Sequence, residues 1–474
     1  MSMRQPLFNL LPRPHPMALA GTRVLVLGLG DTGLALARWV NRQGARVRVA
    51  DTRQAPPRAV ELNTAELKAA ELVTGAFDTE LLREIDLVCI SPGLALTEPV
   101  VQEALVRGIP LVGEIELFAW HVRGAGERGR VVAVTGTNGK TTVTALTGHL
   151  LRAAGIDCEV AGNIGPAALE ALMRRLDSSR LPAVWVLELS SYQLETTWSL
   201  APDVATMLNL SEDHLDRYAD LGEYGAAKAR VFQGEGVQVL NRADPHSAAL
   251  ALPGRRCIGF GLDAPPGPQD FGIVSRAGCK WLAQGDAALI EADALPIHGW
   301  HNAANALAAV ALARALGAGL EPIARGLRTF TGLPHRLQRV ALRGGVDWYD
   351  DSKGTNVGAT IAALRGLARS VVLIAGGDGK RQDFAPLAGP VAEHARRVLL
   401  IGRDAPLIAR ALASSGVPLE LCASLEQAVE RAAACTKAGD AVLLSPACAS
   451  FDMFRDYRHR GDAFAAAVRG LAHG

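Results

Sequence analysis

Short apolar runs recur along the chain, each breaking into a glycine-bearing or polar turn and then into an alanine- and leucine-rich stretch. They are RVLVLGLG (23–30), RVRVAD (46–51), DLVCISPG (86–93), RVVAVTGTNGK (130–140), AVWVLELSS (183–191) and VATMLNLSEDH (204–214). The theme returns in VVLIAGGDGK (371–380), RVLLIG (397–402) and AVLLSPACAS (441–450). A strand apolar on both faces must be covered on both faces. The pattern therefore predicts parallel sheets flanked by helices, an α/β fold. Functional residues in such sheets gather where strands end. At 474 residues the chain exceeds what one core holds, and two seams divide it. HVRGAGERGR (121–130) is polar and Gly-rich, and TFTGLPHRLQ (329–338) carries Gly and Pro after a long Ala-rich helix. Three α/β domains are expected, at 1–121, 122–332 and 333–474.

Composition narrows the function. A net charge of +1 leaves no broad footprint for nucleic acid or an anionic membrane. The seven cysteines are scattered without a CxxC pair, which points to a reducing compartment rather than disulfides or a zinc cluster. The first twenty residues place prolines where a signal peptide needs its apolar run, and no stretch is apolar enough to span a bilayer. A cytoplasmic monomer without nucleic-acid or membrane partners is expected, with residues 1–20 a Pro-rich arm.

The strongest local signal is VVAVTGTNGKTT (131–142), in which an apolar strand runs into a Gly-rich turn and then a helix. Gly136, Thr137, Asn138 and Gly139 let backbone amides face a phosphate. Lys140 brings a point charge to the β- and γ-phosphates, the Thr141 hydroxyl reaches for Mg²⁺, and Thr142 follows on the helix. The bland alternative is a Gly-rich turn without a ligand. Two further strand ends carry hard or nitrogen ligands, Glu188 in LELSSYQLE and Asp213–His214 in NLSEDHLDRY. Each alone is a capping or solvated group. Beside a phosphate loop they read as a metal site for ATP chemistry.

TGTNGKTT (135–142) resembles the ATP loop of the Mur ligase superfamily, which includes folylpolyglutamate synthases. The resemblance extends over about residues 21–465, through GNIG (162–165), GLPHR (332–336) and SPACASFDMF (445–454). It implies a Rossmann-like UDP-binding first domain, a P-loop-type ATPase domain with a mostly parallel sheet, and a Rossmann-like C-terminal domain. It also implies two Mg²⁺ ions held by Thr141, Glu188, His214 and a lysine carbamylated by CO₂, matched here by Lys228. Only seven of the 49 basic residues are lysine, leaving 49 − 7 = 42 arginines. Carbamylation needs a neutral primary amine, which lysine offers and arginine does not. A plain solvated helix face is the alternative for Lys228.

The remaining roles follow from the same resemblance. Asn302 and Asn305 in GWHNAANALAAVALA match adenine contacts, and Asn302 also suits an N-terminal helix cap. Arg336 suits phosphate or ribose, Asp351 the ribose hydroxyls and Lys353 an anionic group. Thr355, Lys380, Ser450 and Tyr457 match the site of the incoming amino acid, where Tyr457 stands in place of a more usual Phe. In the first domain LGLGDTGLA (27–35), with Asp51 downstream, nearly spells a dinucleotide fingerprint and alone would suggest a nicotinamide oxidoreductase. In the resembled family such a turn holds UDP. Asp31, Thr32 and Gly33 match that turn, with Asp31 where Leu is common. Asp51, Thr52 and Arg53 match the uracil region, Ser91 a neighbouring turn and Asn163 a muramoyl contact. The implied activity is ATP-dependent addition of D-glutamate to UDP-N-acetylmuramoyl-L-alanine through an acyl phosphate, in peptidoglycan precursor synthesis. Lys140, His214 and Lys228 would be the catalytic group. Another ligase of the superfamily is the alternative.

Overall fold

A computed structural model describes residues 6–471 apart from 65, 68, 125–128 and 368. Part of the first seam and the start of the N-terminal arm thus lie outside the described residues. The strands form three sheets. The first runs Glu71–Thr74, Arg46–Asp51, Arg23–Leu27, Leu87–Ile90, Leu111–Gly113 in space, all parallel. The second places Arg130–Thr135 between Val204–Met207 and Val184–Glu188, with Cys158–Gly162 at that edge. Beyond Val204–Met207 it continues through Val237–Asn241 and Cys257–Phe260 to an antiparallel extension, Phe271–Arg276, Cys279–Gln284 and Ala287–Glu291. The third sheet runs Gln338–Arg343, Val346–Asp350, Ala441–Leu444, Val371–Gly376, Ala395–Ile401, Leu419–Leu421, with only its first pair antiparallel.

The two-sided character of the apolar runs explains how these sheets pack. Val131 and Ala133 turn to one face of the central sheet, Val132 and Val134 to the other. One face packs under helices Lys140–Ala153, Trp300–Ala315 and Leu320–Thr329. The opposite face shares a continuous core with the first sheet, through Trp185, Leu187 and Phe118. Helix Glu114–Val122 lies in this shared core and carries fully buried Glu116. Its carboxylate accepts from the Trp198 and Ser199 amides at 2.6 and 2.9 Å and from Trp120 Nε1 at 2.9 Å. A buried carboxyl group is tolerated here because its acceptor sites are filled. The third sheet has its own apolar cores on its two faces.

The turn after strand Arg23–Leu27 leads into helix Asp31–Arg42. A Cβ on Gly33 would come within 1.9 Å of the Gly28 carbonyl oxygen, so the helix meets the turn only because residue 33 is glycine. The arm is more than a proline-rich tail. It forms a short helix, Leu7–Leu10, and buries Phe8 and Leu11 in the core shared by the first two sheets. The Arg230 guanidinium lies 5.8 Å from the Phe8 ring centre. Phe8→Ala is expected to cost about 3 kcal/mol, the usual loss for truncating a buried aromatic. An unshifted urea midpoint would contradict this packing.

Candidate active site

The phosphate loop sits where strand Arg130–Thr135 ends and helix Lys140–Ala153 begins. Gly139 caps the helix at φ +83°, a conformation that suits glycine. A Cβ there would also come within 2.4 Å of Asn305 Oδ1, so the glycine lets the asparagine helix close on the loop. Lys140 Nζ donates to the Gly136 and Thr137 carbonyls, both at 2.8 Å. The neighbouring strand end clamps the turn from outside. Asn209 Oδ1 accepts from the Asn138 amide at 2.8 Å, and Asn209 Nδ2 donates to the Asn138 carbonyl at 3.1 Å.

This loop forms one wall of a cavity of about 610 Å³. Thr137 to Thr142, Asn163, Glu188, His214, Asn302, Asn305, Arg336, Asp351, Lys353, Thr355 and Lys380 all line it, so segments far apart in sequence meet there. The third sheet's unit touches the loop directly. Arg336 Nη2 donates to Thr141 Oγ1, and Asn356 Nδ2 donates to Asn138 Oδ1 at 3.0 Å and Asp213 Oδ2 at 3.2 Å. Burial pushes the Asp351 carboxyl up to about 7, although Ser445 Oγ donates to it at 2.7 Å. Burial also pushes the Lys353 amine down to about 8, and that amine lies 3.9 Å from the Tyr457 ring centre.

Glu188 ends strand Val184–Glu188. Its Oε1 accepts from Asn163 Nδ2 at 2.6 Å, while its buried Oε2 has no hydrogen-bond partner among the described residues. His214 sits at φ +57°, and its Nδ1 lies 2.7 Å from the Tyr192 hydroxyl. Among the described residues no three His, Cys, Asp or Glu side chains are arranged to hold a metal by themselves. The donors nevertheless fit a cation that takes most of its ligands from water and phosphate, as Mg²⁺ does. They are an unpaired carboxylate oxygen on Glu188, the Thr141 hydroxyl and the His214 imidazole, all facing the cavity.

Lys228 is placed differently from the other predicted ligands. Helix Leu221–Ala229 carries it inward, it is only 1% exposed, and it lies behind the cavity wall. It is therefore not on a solvated helix face. Its Nζ donates to the Gly136 carbonyl at 2.8 Å and lies 4.4 Å from the Tyr224 ring centre. Burial, with Lys140 nearby, drives its pKa well down and favours the neutral amine.

Other predicted residues fall elsewhere. Asp31, Thr32 and Asn163 line a second cavity of about 370 Å³ between the first sheet's unit and the 162–167 turn. Asp51 is buried; Arg53 holds its carboxyl down at about 2, and its Oδ2 accepts from the Leu29 amide at 2.7 Å. The acid that a dinucleotide site would aim at a ribose is thus committed to its own turn, against the oxidoreductase reading. Thr52, Arg53 and Ser91 line neither cavity, and Ser91 Oγ donates to the Gly28 carbonyl at 3.1 Å. Ser450 is buried outside the cavity lining, where its carbonyl accepts from Phe454 at 2.8 Å. The capping role expected of Asn302 is corrected: Gly299 is the N-cap, and Asn302 lies within the first turn, its Nδ2 donating to the His298 carbonyl at 2.8 Å. The sequence reading missed Tyr192, Asn209 and Asn356. All three stand within or beside motifs already singled out, but their partners are distant in sequence.

Burial lowers the His214 pKa to about 4. The folded protein therefore binds fewer protons here than the unfolded chain, and this group subtracts stability as pH falls from about 6.5 towards 4. An NMR titration is expected to keep the His214 imidazole neutral at pH 5.5, whereas a midpoint near 6.5 would contradict the buried setting.

Comparison with known proteins agrees with this architecture. Residues 22–113 match the Mur ligase MurD-like N-terminal domain, 134–313 the Mur ligase middle domain, and 335–448 the Mur ligase glutamate ligase domain. The UDP-N-acetylmuramoylalanine--D-glutamate ligase of Nitrosospira multiformis is 57% identical over 458 residues, covering 96% of this chain and 97% of that protein. The protein of the same name from Aromatoleum aromaticum is 55% identical, covering 96% and 98%. Among solved structures, the UDP-N-acetylmuramate-alanine ligase MurC of Thermotoga maritima shares the fold at a TM-score of 0.59 and 20% identity, covering 94% of this chain and 99% of that one. Three matched domains in the same order and relatives similar over nearly their whole length lead to one conclusion: the chain belongs to the Mur ligase family.

Proposed function

We propose that this chain is an ATP-dependent ligase that joins D-glutamate to UDP-N-acetylmuramoyl-L-alanine, acting as a cytoplasmic monomer in peptidoglycan precursor synthesis. The observation that carries the reading is one cavity in which a phosphate loop meets cations from a separate sheet unit, Arg336, Lys353 and Lys380. That arrangement suits a polyphosphate and a second anionic substrate brought together under exclusion of water. The near full-length similarity to D-glutamate-adding ligases supports the substrate assignment. No helix among the described residues is long and apolar enough to cross a membrane. We place the domain boundaries after residues 121 and 332.

In the proposed reaction the alanyl carboxylate attacks the γ-phosphorus of ATP, and ADP leaves. The glutamate amine then attacks the acyl carbon, loses a proton, and inorganic phosphate departs. The loop amides of 136–142 and Lys140 hold the phosphates. Asn302 and Asn305 take the adenine, Asp351 the ribose, and Arg336 with Lys353 the transferring group. Thr141, Glu188 and His214 would hold the two Mg²⁺ ions, with carbamylated Lys228 joining them by turning from the Gly136 carbonyl into the cavity, and the ions would offset charge on the transferring phosphoryl group. A neutral Lys228 amine adds to CO₂ with loss of one proton, and its deep burial supports that chemistry. Asp31, Thr32 and Asn163, which line the second cavity, serve the UDP-muramoyl part, with Gly33, Asp51, Thr52, Arg53 and Ser91 supporting it from the Gly-rich turn and the segments bonded to that turn. Thr355, Lys380, Ser450 and Tyr457 serve the glutamate. Contact through Ser450 requires movement of its turn, since Ser450 does not face the cavity here.

The central test is release of ADP in the presence of ATP, Mg²⁺, UDP-N-acetylmuramoyl-L-alanine and a panel of amino acids. ADP formation dependent on both the UDP substrate and D-glutamate is expected, and none with the full set would end the ligase reading. Lys228→Ala should lose at least about a hundredfold in kcat, on the scale of removing one preorganised electrostatic group. Added short carboxylates should restore part of it. Full activity without them would remove Lys228 from the site.

A further inference from the structure

The second cavity lies between the first unit's Gly-rich turn and the central unit's 162–167 turn, yet it is also reached by Arg458, which belongs to the third unit. Arg458 is the second residue of helix Tyr457–Gly470. Its neighbour Tyr457 lines neither cavity; its ring centre lies 3.9 Å from the Lys353 amine, and Lys353 lines the first cavity. The Tyr457 carbonyl accepts from Ser352 Oγ at 2.8 Å, which ties this helix start to the Lys353 loop. Arg458 at the second cavity is thus linked through Tyr457 to Lys353 at the first.

Of the arginines around the second cavity, Arg458 is the one without a carboxylate partner among the described residues. The carboxylates facing it are Asp31, Glu61 and Glu170, and the arginines are Arg38, Arg58 and Arg458. Arg58 is committed to Asp31 at 2.6 Å and to Glu61 at 2.9 Å. Arg38 leans towards Glu66 at 3.6 Å. Among the described residues Arg458 has no carboxylate within ion-pair distance; its Nε donates to the Tyr457 hydroxyl at 3.2 Å, a weak anchor that leaves the rest of the guanidinium fork free. A cavity rimmed by three carboxylates repels an anion unless such a cation offsets them.

We propose that Arg458 is a positioning residue that binds the anionic diphosphate of the UDP substrate in the second cavity, and thereby draws the third unit onto the first. The proposal rests on the ligase reading. The Tyr457 hydroxyl holds the guanidinium in place, and the Tyr457 ring carries the same displacement to Lys353. Binding of the UDP substrate then favours the arrangement in which Lys353 reaches the first cavity.

The test is calorimetric titration of the wild type, Arg458→Ala and Arg458→Lys with UDP-N-acetylmuramoyl-L-alanine and with UDP alone, alongside steady-state kinetics. Arg458→Ala should bind both ligands about tenfold more weakly, the scale of one charge-assisted hydrogen bond. It should raise the KM for the UDP substrate far more than it lowers kcat, and leave ATP binding in the absence of UDP ligands unmoved. Arg458→Lys should recover part of the loss, which a purely structural role would not give. Equal binding by wild type and Arg458→Ala would overturn the assignment of Arg458 while leaving the ligase reading standing. A wild type that binds neither UDP ligand would overturn both.

Discussion

Behind the phosphate loop, one carbonyl oxygen accepts from two lysine amines. Lys140 reaches Gly136 from the start of its own helix, and Lys228 reaches it from a helix eighty-eight positions further along (228 − 140 = 88). Burial presses both amines towards neutrality, with the Lys140 charge adding to the pressure on Lys228 and the Arg336 charge to that on Lys140. Glu188 and Asp213 oppose that pressure without removing it. The loop's shape is therefore held by donors whose charge is itself unsettled by the site. In the proposed reaction an incoming polyphosphate would bring negative charge up to these amines.

The same logic explains what the third unit contributes. Arg336 is half-buried against the loop, and Lys353 and Lys380 face the same space, whereas Asp351 is pushed towards its neutral form. Lys140, Arg336, Lys353 and Lys380 share the cavity lining with Glu188, Asp213, Asp244 and Asp351, so the cations of the third unit meet the loop in a space that already holds both signs of charge.

Much of this was readable before any coordinates. The phosphate loop was legible because its function needs a local sequence, a strand, glycines and a lysine in one run. Glu188 and His214 were legible as polar residues at apolar strand ends. What escaped was chemistry made by distant pairs. Asn209 matters because its amide spans Asn138, and Tyr192 because its hydroxyl meets His214; neither pairing leaves a trace in spacing. Asn302 was half read: its place beside the cavity was visible, but the capping role fell to Gly299, whose φ of +94° starts the helix one turn earlier than the asparagine suggested. Lys228 resembled a surface residue by local pattern, and only the resemblance to a family of ligases marked it. Asp51 shows the reverse, a motif position whose carboxylate the fold uses to fix its own backbone.

The shared core between the first two sheets has a mechanical consequence. Their facing surfaces are joined by continuous apolar packing, by the buried Glu116 anchor and by the Phe8 arm, so sliding one past the other would open a hydrophobic interior to water. The third sheet carries separate cores and meets the others at the active site through side-chain hydrogen bonds such as Arg336 to Thr141 and Asn356 to Asn138. In its resistance to deformation the molecule is a two-part clamp, a fused base and one jaw. The chain passes from base to jaw just ahead of Gln338–Arg343, where His335 and Leu337 sit at positive φ and are bonded to Asp350 and Asp351 of the jaw itself.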